Sequence, residues 1–304
     1  MKDILRITIG LTISCLIAAL IMGSVFTVTD KAKKRNQQMD MQNTMLGLLG
    51  YSRSHPAPSD LALYPVYRYI FDEGGAQYLG YMVPVKRSEK QTYELLLIDL
   101  AGTLKHKYDL DLSQESATQE SERDKALRKA AKPPISFTYA DSFIVATRGK
   151  KRLAYLIPGE FPGFKTFIKV MLALDPSFTI KGLDILEQEE DPGLGGEIVQ
   201  DYFKNQFIDK SYNILKTLKV VKKPLPEEYR RYLERGELKK GTLTSEQVKK
   251  IRKKYEDADI YALTGATISS DSVTSGIKGM VKKFAYRARR LDQVIDRQHI
   301  AVSF

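Results

Sequence analysis

Between Ile4 and Val28 the chain reads ILRITIGLTISCLIAALIMGSVFTV, with a single charge, Arg6, near its start. About 22 consecutive apolar or small residues are enough to cross the hydrocarbon core of a bilayer as one helix. A cleaved signal peptide is the competing reading, because Lys2 precedes the run, but the stretch exceeds a signal core and no clean small-x-small cleavage site follows. A lipoprotein signal ending at Cys15 would need the run to stop there, and Leu16, Ile17, Leu20 and Ile21 continue it. Residues 1–30 therefore read as an uncleaved single-pass anchor. Lys31, Lys33, Lys34 and Arg35 follow the span while Lys2, Arg6 and the amino terminus precede it, and by charge alone this puts the large domain in the cytoplasm.

Beyond the anchor, residues 31–60 read as a polar helical stalk and a Pro- and Ser-containing linker, YSRSHPAPSD. Two stretches then resemble each other, Tyr67 to Leu110 and Phe143 to Leu186. Tyr81-Met82-Val83-Pro84 parallels Tyr155-Leu156-Ile157-Pro158, and Leu97-Ile98-Asp99 parallels Ala173-Leu174-Asp175. Both alternate and are rich in β-branched and aromatic residues, as strands are. Internal duplication and chance likeness of two β-meanders are both open. Residues 113–134 are polar and end in two prolines, which predicts an exposed helix or linker and a domain boundary. The segment 196–223 reads as a helix and then a strand ending at Val220-Val221, and 224–255 as basic helices. A last amphipathic helix is expected over Asp271 to Arg290, with Val273, Ile277, Met280, Val281, Phe284 and Ala288 on its buried face. The expected fold class is α+β, an N-terminal transmembrane helix followed by a mostly antiparallel sheet. Its parts are an accessory β unit over 61–133, a main domain over 134–291 and a tail over 292–304.

Composition narrows the chemistry. The 304 residues with 43% hydrophobic content exclude disorder as the main state. One cysteine excludes an intramolecular disulfide, and three scattered histidines, His55, His106 and His299, argue against a histidine metal site. The formal charge of +11 is partly concentrated in 216–254, including Lys222, Lys223, Arg230, Arg231, Lys239, Lys240, Lys249, Lys250, Lys253 and Lys254. Glu227, Glu228, Glu234 and Glu237 interleave them, so a solvated helical face is favoured over a patch for anionic lipid or an acidic partner. Nucleic-acid binding is not expected of an anchored chain without a recognised motif.

Two segments carry candidate chemistry. In Leu263-Thr264-Gly265-Ala266-Thr267-Ile268-Ser269-Ser270-Asp271, Gly265 and Ala266 leave one side of the Thr267 hydroxyl clear. Ser269, Ser270 and Asp271 are N-cap candidates, and the free amides of a helix start favour a phosphate. An ordinary cap with a tight turn is the competing reading. In Glu190-Asp191-Pro192-Gly193-Leu194-Gly195-Gly196, the glycines let backbone approach a flat ligand, and Glu190 is placed to fix either that ligand's polar edge or the loop. An acidic hairpin turn explains the same composition.

Thr264-Gly265-Ala266-Thr267 before an amphipathic helix resembles the flavinylation motif of the FMN-binding domain family, in which the last threonine is joined to the FMN phosphate by a phosphoester. Pro192-Gly193-Leu194-Gly195 is similar to the loop of the FMN-bearing subunits of Rnf complexes and of the sodium-translocating NADH:quinone reductase, with Asp191 in place of the usual threonine. Gln188 and Gly196 suit the quinone-reductase branch. Anchor, loop and motif occur in the family order. The resemblance implies covalent FMN on Thr267, with an FAD-dependent flavin transferase as the attaching partner. It also implies phosphate contacts from Thr264 and Ser269, a motif frame from Gly265 and Ala266, and an isoalloxazine environment from Gly193, Leu194 and Gly195. Family members often carry an acidic residue where this chain has Tyr261, and Asp259 lies two positions earlier.

The implied function is electron relay through FMN between membrane subunits of a redox-driven ion pump, with no catalytic acid, base or metal of the chain's own. The family also places the domain outside the cytoplasmic membrane, against the charge count. A stand-alone respiratory flavoprotein and a colourless membrane-tethered binding module are the alternatives. Residues 61–133, the basic insertion over 222–255 and the tail LDQVIDRQHIAVSF have no counterpart in the resemblance; insertion and tail are expected to dock a partner.

Overall fold

The computed structural model describes residues 2–87, 90–132, 135–234 and 244–304, and these form two compact units, Met1–Gly47 and Leu48–Phe304. The first consists of helix α1 (Lys2–Leu48) up to Gly47, within which Asp3–Thr27 is long and apolar enough to cross a membrane. Thr8, Thr12, Ser24 and Thr27 return their hydroxyls to carbonyls four residues back, so these polar groups do not break the run.

The second unit is built on one antiparallel eight-stranded sheet in the order β4-β3-β2-β1-β5-β6-β7-β8. Its strands are β1 (Leu61–Glu73), β2 (Ala76–Arg87), β3 (Lys90–Asp99), β4 (Leu104–Leu110), β5 (Ile135–Arg148), β6 (Lys151–Pro162), β7 (Phe167–Leu174) and β8 (Ile180–Glu187). Two four-stranded meanders are thus joined where β1 pairs with β5 along its whole length. The likeness between the two stretches extends to their last turns. Asp99 Oδ1 accepts the Thr103 amide at 2.8 Å, and Asp175 Oδ1 accepts the Thr179 amide at 3.0 Å. The residue before each threonine is left-handed, Gly102 at φ 88° and Phe178 at φ 64°. Phe178 tolerates a conformation that disfavours side chains because its buried ring stacks on Tyr155 and meets Phe284 edge-on.

Segment 113–132, the described part of the polar stretch, departs from the sequence expectation. It forms α2 (Gln114–Ala117) and α3 (Glu120–Ala130), and α3 is packed on the first meander rather than exposed. Leu127 supplies apolar burial. Arg123, polar in sequence, is buried because its guanidinium donates to the Tyr69 hydroxyl at 2.9 Å and the Ala117 carbonyl at 2.8 Å and lies over the Tyr67 ring.

After β8 come a 3-10 turn over Gly195–Val199, α4 (Asp201–Lys204), α5 (Tyr212–Thr217), β9 (Val220–Val221), α6 (Glu227–Leu233), α7 (Ser245–Tyr255) and β10 (Ile260–Tyr261). The strand expected to end at Val220-Val221 is present as β9, whereas the one helix expected before it is broken into short helical pieces. Strands β9 and β10 pair in parallel. Arg230 and Arg231 bond Glu234 and Glu227, and Lys254 pairs with Glu228, so much of the basic region is a charge-interleaved helical surface. Glu237, Lys239 and Lys240 lie outside the described residues. The buried Lys210 anchors this region, its ammonium donating to the carbonyls of Tyr255, Glu256 and Ala258 at 3.1, 2.7 and 2.7 Å.

Helix α8 (Thr267–Arg297) crosses the sheet and buries Val273, Ile277, Val281, Phe284, Ala288 and Leu291 in the main core. It is longer at both ends than expected. The tail turns back at His299, buries Ile300 and bridges Val302 to Val85, while the Ser303 amide donates to the Pro84 carbonyl at 2.9 Å. The end of the tail thus packs along β2.

Candidate functional site

The site is made by the start of α8 and two loops. Leu263 to Ala266 forms a β-turn closed by the Ala266 amide on the Leu263 carbonyl at 3.1 Å, with Gly265 at its third position at φ 75°. That combination is the signature of a type II turn, which favours glycine there. The helix then begins at Thr267, with Ala266 at the cap position and no capping side chain.

This corrects the expected caps at Ser269, Ser270 and Asp271. The two serine hydroxyls are engaged elsewhere. Ser270 Oγ donates to the Ala266 carbonyl at 2.9 Å and accepts the Leu263 amide at 3.0 Å, tying the turn to the helix. Ser269 Oγ donates to Glu190 Oε2. The amides of Thr267, Ile268 and Ser269 consequently have no acceptor among the described residues.

The loop after β8 meets this helix start through Glu190. Its carboxylate is buried, and Oε1 accepts the amides of Phe164 at 2.8 Å and Lys165 at 3.2 Å while Oε2 takes the Ser269 hydroxyl. Gln188 Oε1 accepts the Glu190 amide at 2.6 Å and helps fix its backbone. The Asp191 carbonyl accepts the amides of Leu194 and Gly196 at 3.1 and 2.9 Å, closing the loop on itself. Lys165 and Asp191 pair at 2.5 Å, and the aspartate raises the exposed lysine's pKa.

Packing leaves no room for side chains at two loop glycines. A Cβ on Gly195 would stand 2.5 Å from Ser269 Oγ and 2.8 Å from Glu190 Oε2, and one on Gly163 would stand 2.5 Å from Glu190 Oε1. On Gly265 it would lie 2.9 Å from Leu194 Cδ2. Leu194 therefore leans on the motif turn, whereas Gly193, at φ 73°, has open space beside it.

A cleft of about 400 Å³ opens next to this junction, lined among others by Gly193, Leu194, Thr264, Tyr202, Leu225 and Arg230. Arg230 lies over the Tyr202 ring at 4.7 Å. Thr264 and Ile268 are exposed, and Thr267 is half-buried. Tyr261 belongs to β10, and its amide donates to Gln206 Oε1 at 2.8 Å while its carbonyl accepts from Nε2 of the same side chain at 3.2 Å. Asp259 accepts the Lys219 amide at 2.9 Å, a bond that holds the start of the small parallel sheet.

Of the residues singled out in the sequence, Glu190, Leu194, Gly195, Gly265, Ala266, Thr267 and Ser269 are brought to one junction, and Gly193 and Thr264 line the adjoining cleft. The third participant, Gly163-Phe164-Lys165, was not foreseen. Its only sequence signal is the turn-forming Pro162-Gly163 pair. Gln206 gave none.

The donor set fits a phosphate ester. Three unpaired amides at the positive end of a long helix lie beside a threonine hydroxyl, behind a turn whose glycine and alanine keep bulk away. The glycine-lined loop and adjoining cleft supply room for a flat ring system.

Residues 163–282 match the family model of the FMN-binding domain, and the resemblance carried by the loop and the Thr-Gly-Ala-Thr motif is borne out over that segment. The chain is 28% identical over 138 residues to a subunit of the proton-translocating ferredoxin:NAD(+) oxidoreductase complex of Clostridium ljungdahlii, a match spanning 45% of this chain and 57% of the relative's length. Its solved structural neighbours include NqrC of Shewanella oneidensis, 18% identical, with a TM-score of 0.36 and coverage of 60% of this chain and 75% of that one. The corresponding component of the Na(+)-translocating NADH-quinone reductase of Parabacteroides distasonis is also 18% identical, with a TM-score of 0.34 and coverage of 66% and 77%.

Proposed function

We propose that this chain, with an FMN-binding domain over 163–282, is a membrane-anchored flavoprotein subunit carrying FMN on Thr267 through a phosphoester. In this reading it relays electrons inside a redox-driven ion-translocating complex of the Rnf or sodium-translocating quinone-reductase type. The observation that carries it is the three free amides of Thr267, Ile268 and Ser269 beside the Thr267 hydroxyl, within the segment that matches the family.

FMN, when attached, would supply the electron transfer. The chain's own residues do the rest. The amides at the start of α8 hold the phosphate, joined by the Thr264 hydroxyl. Glu190 keeps Ser269 and the 163–165 loop in place, so the helix start and the Gly193-Leu194-Gly195 loop cannot separate. A covalent link prevents loss of the flavin to solvent, and the neighbouring groups set its potential. The attaching partner is a transferase using FAD, and the electron partners are other membrane subunits. Asp3–Thr27 is the single-pass anchor in the cytoplasmic membrane, and the Leu48–Phe304 unit stands on its outer, periplasmic side.

The test is coexpression with the transferase, followed by flavin fluorescence of the denatured protein in a gel. Wild type is expected to fluoresce, and Thr267→Val to be dark with an unchanged melting temperature. Equal fluorescence from both proteins sinks the assignment. A reporter fused after Phe304 tests the side of the membrane, and activity confined to the cytoplasm reverses it.

A further inference from the structure

Away from the loop and motif junction, a cavity of about 280 Å³ lies between the seam of the two meanders and α8. Among its lining residues only Met280 falls within the segment that matches the FMN-binding domain. Its charges are unbalanced, with three cations, Arg68, Lys283 and Arg287, against two carboxylates, Asp141 and Glu160.

Arg68 is buried and grips Asp141 with both Nε, at 2.8 Å from Oδ1, and Nη2. Those two charges cancel. Arg287 reaches the same carboxylate through Nη1 at 3.1 Å and adds a second positive charge to an anion already neutralised. Glu160 lies directly across the β6–β7 ladder from Lys169. Lys283 is exposed and has no hydrogen-bond or ion-pair partner among the described residues.

Below these cations, Tyr81 is 1% exposed, and its hydroxyl has no hydrogen-bond partner among the described residues. Buried hydroxyls are seldom left unpaired in a native protein, and an incoming oxygen acceptor would satisfy this one. The rest of the wall is apolar. Phe143 and Phe284 meet edge-to-face at 5.1 Å, and the Met280 thioether lies over Gly159, where a Cβ would be 2.4 Å from its methyl. A flexible thioether over a glycine is a floor that adapts to an inserted hydrocarbon.

We propose that this cavity binds a small organic monoanion, a carboxylate on a short apolar body, with Lys283 and Arg287 holding the carboxylate and the Tyr81 hydroxyl donating to it. The single unit of excess positive charge selects a monoanion. A dianion such as phosphate would bring uncompensated charge against the aromatic walls.

The test is isothermal titration of the full chain in detergent with hexanoate and benzoate, using hexanol and inorganic phosphate as controls. Flavin attachment is not needed, so the outcome is independent of the Thr267 assignment. Saturable one-to-one binding of a carboxylate is expected, with hexanol and phosphate at least about tenfold weaker. Lys283→Ala, at an exposed position, is expected to keep the melting temperature and weaken carboxylate binding about tenfold. Tyr81→Phe, which keeps the ring, is expected to weaken it about 2- to 10-fold. No binding of either carboxylate, equal binding of hexanol, or affinities unmoved by both substitutions would overturn the proposal.

Discussion

Ser269 donates its hydroxyl to the buried carboxylate of Glu190, and through that bond the first turn of α8 is tied to the loop that follows β8. The other carboxylate oxygen holds two backbone amides of the 163–165 loop. Glu190→Ala orphans all three donors and is expected to lower stability by about 3 kcal/mol, since hydrogen bonds to a buried charge are worth about 1.5–3 kcal/mol. Glu190→Gln is expected to cost about 1 kcal/mol, because its amide oxygen can serve the backbone while the Ser269 hydroxyl turns to accept. Chemical denaturation of both variants measures the difference; equal losses would show that the charge and second acceptor oxygen, not the shape that glutamine preserves, are what Glu190 supplies.

Gly265 and Gly195 are constrained differently, and their alanine variants should separate the two constraints. Gly265→Ala meets a left-handed backbone and a movable leucine tip, and is expected to cost about 1–2 kcal/mol with the Glu190 bond intact. Gly195→Ala drives a methyl between Ser269 and Glu190 and is expected to break their bond. Hydrogen exchange of the Phe164 and Lys165 amides distinguishes them, rising in Gly195→Ala and unchanged in Gly265→Ala.

Burial raises the pKa of the Tyr81 phenol to about 12 from an ordinary 10. A group whose folded pKa lies above its unfolded value contributes fully below the unfolded value and loses that contribution as pH climbs through the folded one. The window here is pH 10 to 12. Tyr81 alone is expected to remove about 1.4 kcal/mol of stability by pH 11, and burial raises Tyr67, Tyr69 and Tyr155 in the same direction. Denaturant midpoints across this range check the slope, and Tyr81→Phe should flatten it. A variant with the wild-type slope would show that Tyr81 does not ionise on unfolding.

Lys210→Met keeps the length and apolar stem of the side chain but leaves the carbonyls of Tyr255, Glu256 and Ala258 without their donor. The expected cost is about 3 kcal/mol, concentrated where α7 ends. Limited proteolysis should find new cleavage near residues 244–258 while the eight-stranded sheet stays protected. Uniform loss of protection would mean that the lysine supports the whole unit.

Much of the sheet was legible because its strands alternate and their turns carry Asp, Gly and Pro. The joining of both meanders through β1 and β5 was not, since pairing partners so far apart leave no local pattern. The start of α8 was misplaced for a physical reason. Ser269 and Ser270 carry the chemistry of capping residues, yet one hydroxyl is drawn to Glu190 and the other bonds back to Ala266. Arg123 misled in the opposite sense, because a guanidinium with a carbonyl, a phenol and a ring to meet can be buried in a segment whose composition is that of a linker. The threonine motif itself was legible through its order relative to the loop and the anchor.

The pairing of Leu61–Glu73 with Ile135–Arg148 sets a timetable for biogenesis. The chain emerges amino terminus first into the compartment where it folds, so β1 is an open edge until its partner strand follows the intervening hairpins and helices. An unpaired edge is a template for other chains. The emerging protein therefore has an interval in which a holdase protects it most effectively, and that interval closes when β5 emerges, before the threonine motif has followed.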